Sequence, residues 1–277
     1  MNIFDSTRKK HTIIMGIINT SPESFYSESV HTSASSISAT ARRMQNEGAD
    51  IIDVGGMSTA PYLKTFIKSE VELHRVVTAV KIVRAASSLP ISIDTCRANV
   101  AEAALDAGAD IINDVTGLQY DSCMSSLISR YRPSLVLCAY GGTKHRGNGL
   151  LTDTSSLLKR STDIAFKAGV HSSQIAIDPA IGFFRRASKS PFFTKTSSNQ
   201  IKRDLLILKD LNRLGNMLVL VSISRKSFLR GMFGSPDPKN RLPSSLACEM
   251  FAIQCGANII RTHNVRESRN IADMVYM

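Results

Sequence analysis

Short runs of consecutive apolar, mostly β-branched residues recur along the chain and alternate with longer stretches of mixed polarity. They are IIMGII from Ile13, DIIDV from Asp50, PISI from Pro90, DIINDV from Asp110, SLVLCA from Ser134, QIAID from Gln174, LVLVSI from Leu218 and NIIRT from Asn258. A strand with one solvated face would alternate polar with apolar, so runs apolar at successive positions predict parallel strands covered on both faces. The intervening chain is long enough for a crossover helix each time, which predicts a βα unit repeated eight times. Residues 70–86 show the helical period, with Val71, Val76, Val77, Val80, Val83 and Ala86 on one broad face and Lys81 and Arg84 directed elsewhere.

A weak internal repeat supports this reading. The string G-A-[D/N]-I-I occurs at Gly48, Gly108 and Gly256, each time where a helix should end and a strand begin. Glycine there supplies a left-handed residue that terminates the helix, and Ile-Ile opens the buried strand. The copies lie 60 residues apart (48 to 108) and 148 apart (108 to 256), whole multiples of units of 30 and 37 residues. An open doubly wound sheet uses the same elements, but it needs chemistry at only two or three strand ends. Here nearly every strand ends in a polar group: Asn19, Asp53, Asp94, Asn113 with Asp114, Asp178, Ser224 to Lys226, and Arg261 with His263. Such a ring fits the mouth of a closed barrel. No G-x-G-x-x-G follows the first strand, so the expected fold is α/β, a single (β/α)8 TIM barrel spanning residues 1–277.

Composition changes the picture little. With 277 residues, 43% hydrophobic and 21% charged, the chain excludes general disorder, and its apolar runs are too short for a membrane span. Arg8, Lys9 and Lys10 precede an apolar stretch that is too short for a secretory signal, so the expected location is cytoplasmic. The five cysteines are scattered and form no C-x-x-C pair, which points to free, buried thiols. The net charge of +11 predicts attraction to anions. With no Trp and few Tyr, the chain offers no aromatic platform for nucleic acid, and neither nucleic acid nor membrane is an expected partner.

Asp53, Asp94, Asp114 and Asp178 each follow an apolar strand, where a carboxylate is costly unless paired or bound to a ligand. A heterocycle with a guanidine-like edge would use such carboxylates bidentately. Asn19, Arg225, Lys226, Arg261 and His263 stand opposite, supplying donors and positive charge for a diphosphate with Mg2+ bridging its oxygens. An acid-lined half and a base-lined half are expected in one pocket. No G-x-S-x-G, H-E-x-x-H or P-loop motif is present, so binding and charge stabilisation are the expected means of catalysis.

At these positions the chain resembles the dihydropteroate synthases of the pterin-binding family, through IMGIINTSPESF, GADIIDVGGMSTAP, ISIDT, GADIINDVTG, IAIDPAIGF, SISRKSF and RTHNV. The resemblance implies a (β/α)8 barrel that joins 6-hydroxymethyl-7,8-dihydropterin diphosphate to an arylamine and releases pyrophosphate, with members commonly homodimeric. It implies that Asp94, Asn113 and Asp178 hold the pterin, that Lys226 reaches it, and that Asn19, Arg261 and His263 meet the diphosphate and its Mg2+. Thr59, Pro61, Phe183 and Ser227 would lie near the arylamine, and the loops after Asn19 and Asp53 would close over the reaction. The chain departs from the family pattern where G-G-E-S-T-R-P-G becomes GGMSTAPY, with Met57 for the acid and Ala60 for the arginine. It departs again at Ala139, where a histidine is usual, and at GFFR, which ends in Arg185. SPESFY and GGMSTAPY look most like archaeal members, which suggests a phosphorylated arylamine of methanopterin synthesis, its phosphate met by Arg185, Arg186 or Lys144. The competing readings are a pterin-barrel methyltransferase acting on methyl-tetrahydrofolate, and a pterin-binding protein without turnover.

Overall fold

The computed structural model describes residues 3–4, 12–22, 30–59, 66–147, 150–188, 191–234 and 237–276. The eight apolar runs form β1 (Ile13–Asn19), β2 (Ile51–Gly55), β3 (Ile91–Asp94), β4 (Ile111–Asp114), β5 (Ser134–Cys138), β6 (Ile175–Asp178), β9 (Leu218–Val221) and β10 (Ile259–Thr262). They pair in parallel in the order β1-β10-β9-β6-β5-β4-β3-β2 and close into a barrel. Expected and observed ends differ by about one or two residues, the usual fraying of element boundaries. A parallel pair not foreseen from the sequence, β7 (Phe184–Arg185) and β8 (Thr194–Lys195), forms a separate small sheet in the connection after β6. Two-residue strands carry no periodicity that a sequence could reveal.

Among the described residues nine α-helices surround the barrel: α1 (Ala34–Asn46), α2 (Ser69–Ala86), α3 (Ala98–Asp106), α4 (Met124–Tyr131), α5 (Leu151–Lys167), α6 (Gln200–Lys209), α7 (Ser227–Phe233), α8 (Leu242–Gln254) and α9 (Val265–Val275). None is long and apolar enough to cross a membrane. The face expected for α2 is partly wrong: Val76, Val80 and Val83 are buried, but Val71 is exposed and Glu72 is buried in its stead. Glu72 is drawn inward because Thr95 and Arg97 offer it charge-assisted hydrogen bonds of 2.6 and 2.8 Å.

Strand alternation sorts the side chains into two cores. Ile14, Ile18, Ile52, Val54, Ile93, Ile112, Leu135, Ile177, Val219 and Ile260 pack outward against the helices. Phe4, Ile13, Met15, Ile51, Ile111, Val136, Ala176, Leu218, Leu220 and Ile259 fill the barrel interior. Each apolar position fully buried this way contributes roughly 1.5–3 kcal/mol. The interior changes character toward the strand C-termini. Two residues beyond Ile51, Ile111, Ala176 and Ile259, on the same face of their strands, stand Asp53, Asn113, Asp178 and Arg261.

The G-A-[D/N]-I-I repeat closes the opposite end. Gly48, Gly108 and Gly256 have φ of +91°, +106° and +108°, a conformation that side chains resist. The polar residue of each copy accepts the N–H of a neighbouring chain segment. Asp50 takes Ile14 N, Asp110 takes Ile91 N and Asn258 takes Val219 N, all at 2.8 Å. Four of the five cysteines are buried or half-buried free thiols, as expected, whereas Cys123 is exposed.

Candidate active site

A cleft enclosing about 890 Å³, part of it open to solvent, lies at the C-terminal mouth of the barrel. Its lining brings together Asn19, Thr59, Asp94, Asn113, Asp178, Phe183, Lys226, Ser227, Arg261 and His263. All ten were expected at the site from sequence. Pro61 lies outside the described residues, as do Ala60 and much of the loop after Asn19.

Arg225 is a correction. Its side chain turns away from the cleft, and its guanidinium donates to Asn264 Oδ1 at 2.9 and 3.2 Å and to the carbonyls of Pro238 and Lys239. The strand has ended at Val221, and Arg225 lies in the turn that follows, between Ser224 and Lys226, which both line the cleft. Arg225 also has a left-handed φ of +60°, held by Ser245 Oγ on its N–H and Arg241 on its carbonyl. Asp114 is out of phase with Asn113. It caps its own loop, accepting from Thr116 N and Oγ1, both at 2.7 Å, and from Leu118 N at 2.9 Å.

The two halves expected of the pocket are interleaved. Arg261 donates through Nε to Asp53 Oδ2 at 2.7 Å and through Nη2 to Asp94 Oδ2 at 2.8 Å, and Asn113 Nδ2 reaches Asp53 Oδ1 at 3.4 Å. Asp53 is fully buried beneath the cleft. Buried charges of one sign are costly without partners, so the acids and the arginine satisfy one another. Burial lifts the Asp94 carboxyl to about 7, with Asp53, Glu72 and Asp114 adding to the rise and Arg261 opposing it. Burial also raises Asp178, against Lys226 and the N–H of Ala180, and it lowers Lys226, against Asp178. For Arg261 desolvation is more than offset by Asp53 and Asp94, so the guanidinium is held more firmly charged than usual.

His263 contributes no positive charge. Burial, then Arg261, Arg225 and Lys226, push its pKa down to about 3, which leaves a neutral ring whose Nδ1 lies 3.0 Å from Ser224 Oγ. Lys226 Nζ donates to Ile181 O at 2.8 Å and stands 4.5 Å over the Phe183 ring. Arg185 lines the cleft and donates to Ser227 Oγ at 2.7 Å, whereas Lys144 and Arg186 are exposed and line no part of it. Met57 is an apolar part of the wall. Ser222 and Cys138 also line the cleft and were missed. They sit inside runs read as uniformly apolar, yet they share the inward phase of Leu220 and Val136, the signal that would have found them.

Among the described residues no group of three His, Cys, Asp or Glu is placed to hold a metal. That donor set does not provide an all-protein cage. A hard cation that keeps several waters and binds through a substrate's phosphates would need from the protein only an oxygen at the cleft, such as that of Asn19. Asn19 supplies a neutral oxygen at the cleft, beside Gly55.

A closed barrel whose mouth gathers acids, amides and cations in one cleft defines a binding site for a small polar ligand, at the end where barrel enzymes carry theirs. Comparison with known proteins makes this specific. The chain belongs to the pterin-binding enzyme family, whose model matches residues 15–263. It is 35% identical over 269 residues to the dihydropteroate synthase of Synechocystis sp., covering 95% of this chain and 88% of that protein. The fold superposes on a dihydropteroate synthase from Coxiella burnetii in complex with pteroic acid with a TM-score of 0.82 at 31% identity, covering 96% and 93% of the two chains. It superposes on the Xanthomonas albilineans dihydropteroate synthase with 4-aminobenzoic acid with a TM-score of 0.83 at 28% identity, covering 96% and 92%.

Proposed function

We propose that this enzyme condenses 6-hydroxymethyl-7,8-dihydropterin diphosphate with p-aminobenzoate and releases pyrophosphate. The observation that carries the proposal is the convergence of Asp94, Asn113, Asp178, Lys226 and Arg261 on one cleft, in a chain similar over almost its whole length to dihydropteroate synthases. Asp94, Asn113 and Asp178 accept from and donate to the amino-pyrimidine edge of the pterin, and Lys226 donates to its ring. Arg261, which lines the same cleft, would neutralise the diphosphate, with His263 and Asn19 adding uncharged polar contacts. Mg2+, when bound with the substrate, supplies further charge neutralisation to the leaving pyrophosphate, and Asn19 is the residue that would meet it.

The methylene C–O bond breaks and its electron pair leaves with pyrophosphate. The electron-poor methylene that remains is stabilised by the carboxylates, and the arylamine nitrogen attacks it. A C–N bond forms and the amine gives up a proton to solvent. Thr59, Phe183 and Ser227, which line the cleft, would flank the approach, and Arg185, hydrogen-bonded to Ser227 Oγ, would supply the cation for an acidic group on the arylamine.

Mixing the protein with Mg2+, the pterin diphosphate and p-aminobenzoate should release one pyrophosphate per dihydropteroate formed. A second arm replaces p-aminobenzoate with an arylamine carrying a ribosyl phosphate, for which Arg185 supplies the counter-charge. At least tenfold preference for that amine, about 1.4 kcal/mol, would move the assignment to methanopterin synthesis. Tight pterin binding with no pyrophosphate from either amine would reject the synthase reading, and methyl transfer from methyl-tetrahydrofolate would replace it.

A further inference from the structure

Two charged residues of α6 are among the most deeply buried in the molecule, and the proposed condensation uses neither. Arg203 is 1% exposed and Asp204 0%. The guanidinium of Arg203 lies 3.7 Å over the Phe184 ring. It donates to Pro179 O at 2.6 Å, Ala180 O at 3.2 Å, Thr154 Oγ1 at 2.9 Å and Asp204 Oδ1 at 3.0 Å. The other oxygen of Asp204 accepts the N–H of Gly182 at 3.0 Å. Between them the pair grips residues 179–182, the turn that leaves the cleft carboxylate Asp178.

This turn is strained. Ala180 has φ of +63°, in the left-handed region that a residue with a Cβ resists, and Gly182 follows at +83°. Asp178 Oδ1 accepts the N–H of Ala180 at 2.7 Å, so the turn is held from the cleft side as well. Its product is the carbonyl of Ile181, which points at Lys226 Nζ from 2.8 Å. A buried ion pair seldom adds net stability over apolar residues of similar size, so stability alone does not account for one here.

We propose that Arg203 and Asp204 are positioning residues that set Lys226 through the turn of residues 179–182. The inference rests on the pterin-binding role of Lys226 in the proposed condensation. Four buried or half-buried charges alternate in sign through this corner: Arg203, Asp204, Lys226 and Asp178. The groups facing Lys226 are Asp178 from β6, Cys138 from β5, Arg261 from β10 and Asp204 from α6, with His263 nearby and uncharged. Asp204 favours the protonated amine, so neutralising it lets Lys226 lose its proton at lower pH.

The test uses the full chain and the double variant Arg203→Met with Asp204→Asn, which removes both charges together and leaves no lone ion in the core. Wild type and variant are compared by thermal melting and by kcat/KM for the pterin diphosphate as a function of pH. The expected result is a variant that melts as cooperatively as wild type but has lost at least tenfold in kcat/KM, with the alkaline limb of its profile moved to lower pH. A variant that melts like wild type, stays within threefold in kcat/KM and keeps the alkaline limb in place would overturn the inference. If the double variant does not melt cooperatively, Arg203→Lys, which keeps both charges but gives up the fork on Pro179 O and Ala180 O, is read instead: a loss of at least threefold in kcat/KM supports the inference, and a wild-type value overturns it. A wild-type protein that forms no product overturns the synthase reading itself and this inference with it.

Discussion

At the scale of single residues, the most consequential contact is the one Arg261 makes with Asp53 and Asp94 together. The acids and the guanidinium already satisfy one another, so in the proposed reaction a pterin edge would compete with Arg261 for Asp94 while the diphosphate would offer the guanidinium a new partner. Asp94 can accept one N–H donor on each of its two oxygens, the bidentate mode, only when ionised. Its carboxyl is lifted by burial to about 7, so the binding-competent form gains population as pH rises toward that value and is largely formed above it. Pterin affinity, measured by titration calorimetry between about pH 5 and 8, should therefore strengthen with rising pH and level off beyond about 7. Asp94→Asn should weaken binding by roughly 1.5–3 kcal/mol and flatten its dependence on pH. Affinity that strengthens on acidification would mean that Asp94 binds the pterin as a neutral acid and not as a carboxylate.

At the scale of elements, position along a strand decides what a residue can do. The strands were legible because consecutive apolar residues admit few other readings, and the polar strand ends were legible because a carboxylate beside Ile-Ile has to be explained. Phase was the part not exploited. Counting in twos from Ile111 finds Asn113 and skips Asp114, and counting in twos from Leu218 finds Ser222. The burial of Glu72 and the small β7–β8 sheet were not legible at all, because both depend on partners distant in sequence: Arg97 and Thr95 for Glu72, and the whole connection after β6 for the sheet. The G-A-[D/N]-I-I repeat was legible in its glycine and silent about its polar residue, whose hydrogen bond to another segment is a tertiary fact. Gly108 isolates the glycine contribution. A Cβ there would meet nothing nearer than Arg84 Nε at 3.6 Å, an ordinary contact, so the cost of Gly108→Ala is backbone strain alone. With φ at +106°, the loss should be at least about 1–2 kcal/mol, read as a melting temperature lowered by roughly 2–8 °C with activity unchanged. An unchanged melting temperature would show that the helix end relaxes to another conformation.

At the scale of the whole molecule, the net charge of +11 and the cations of the cleft act over different distances. The surface field draws anions from solution and is screened over about 10 Å at 0.1 M salt. Arg261, whose side chain is only 14% exposed, works at contact inside the cleft and is screened far less. Salt should therefore slow capture without disabling the reaction. Raising monovalent salt from about 0.05 to 0.5 M should lower kcat/KM for the multiply charged pterin diphosphate by roughly tenfold, lower that for the singly charged p-aminobenzoate by much less, and leave kcat nearly unchanged. Steady-state rates with each substrate varied in turn separate these quantities. Equal salt sensitivity for the two substrates would show that capture does not follow substrate charge, against attraction by the overall field, and a kcat that fell in parallel would show the buried charges to be open to bulk ions, against the burial seen for Asp53, Asp178 and Arg203.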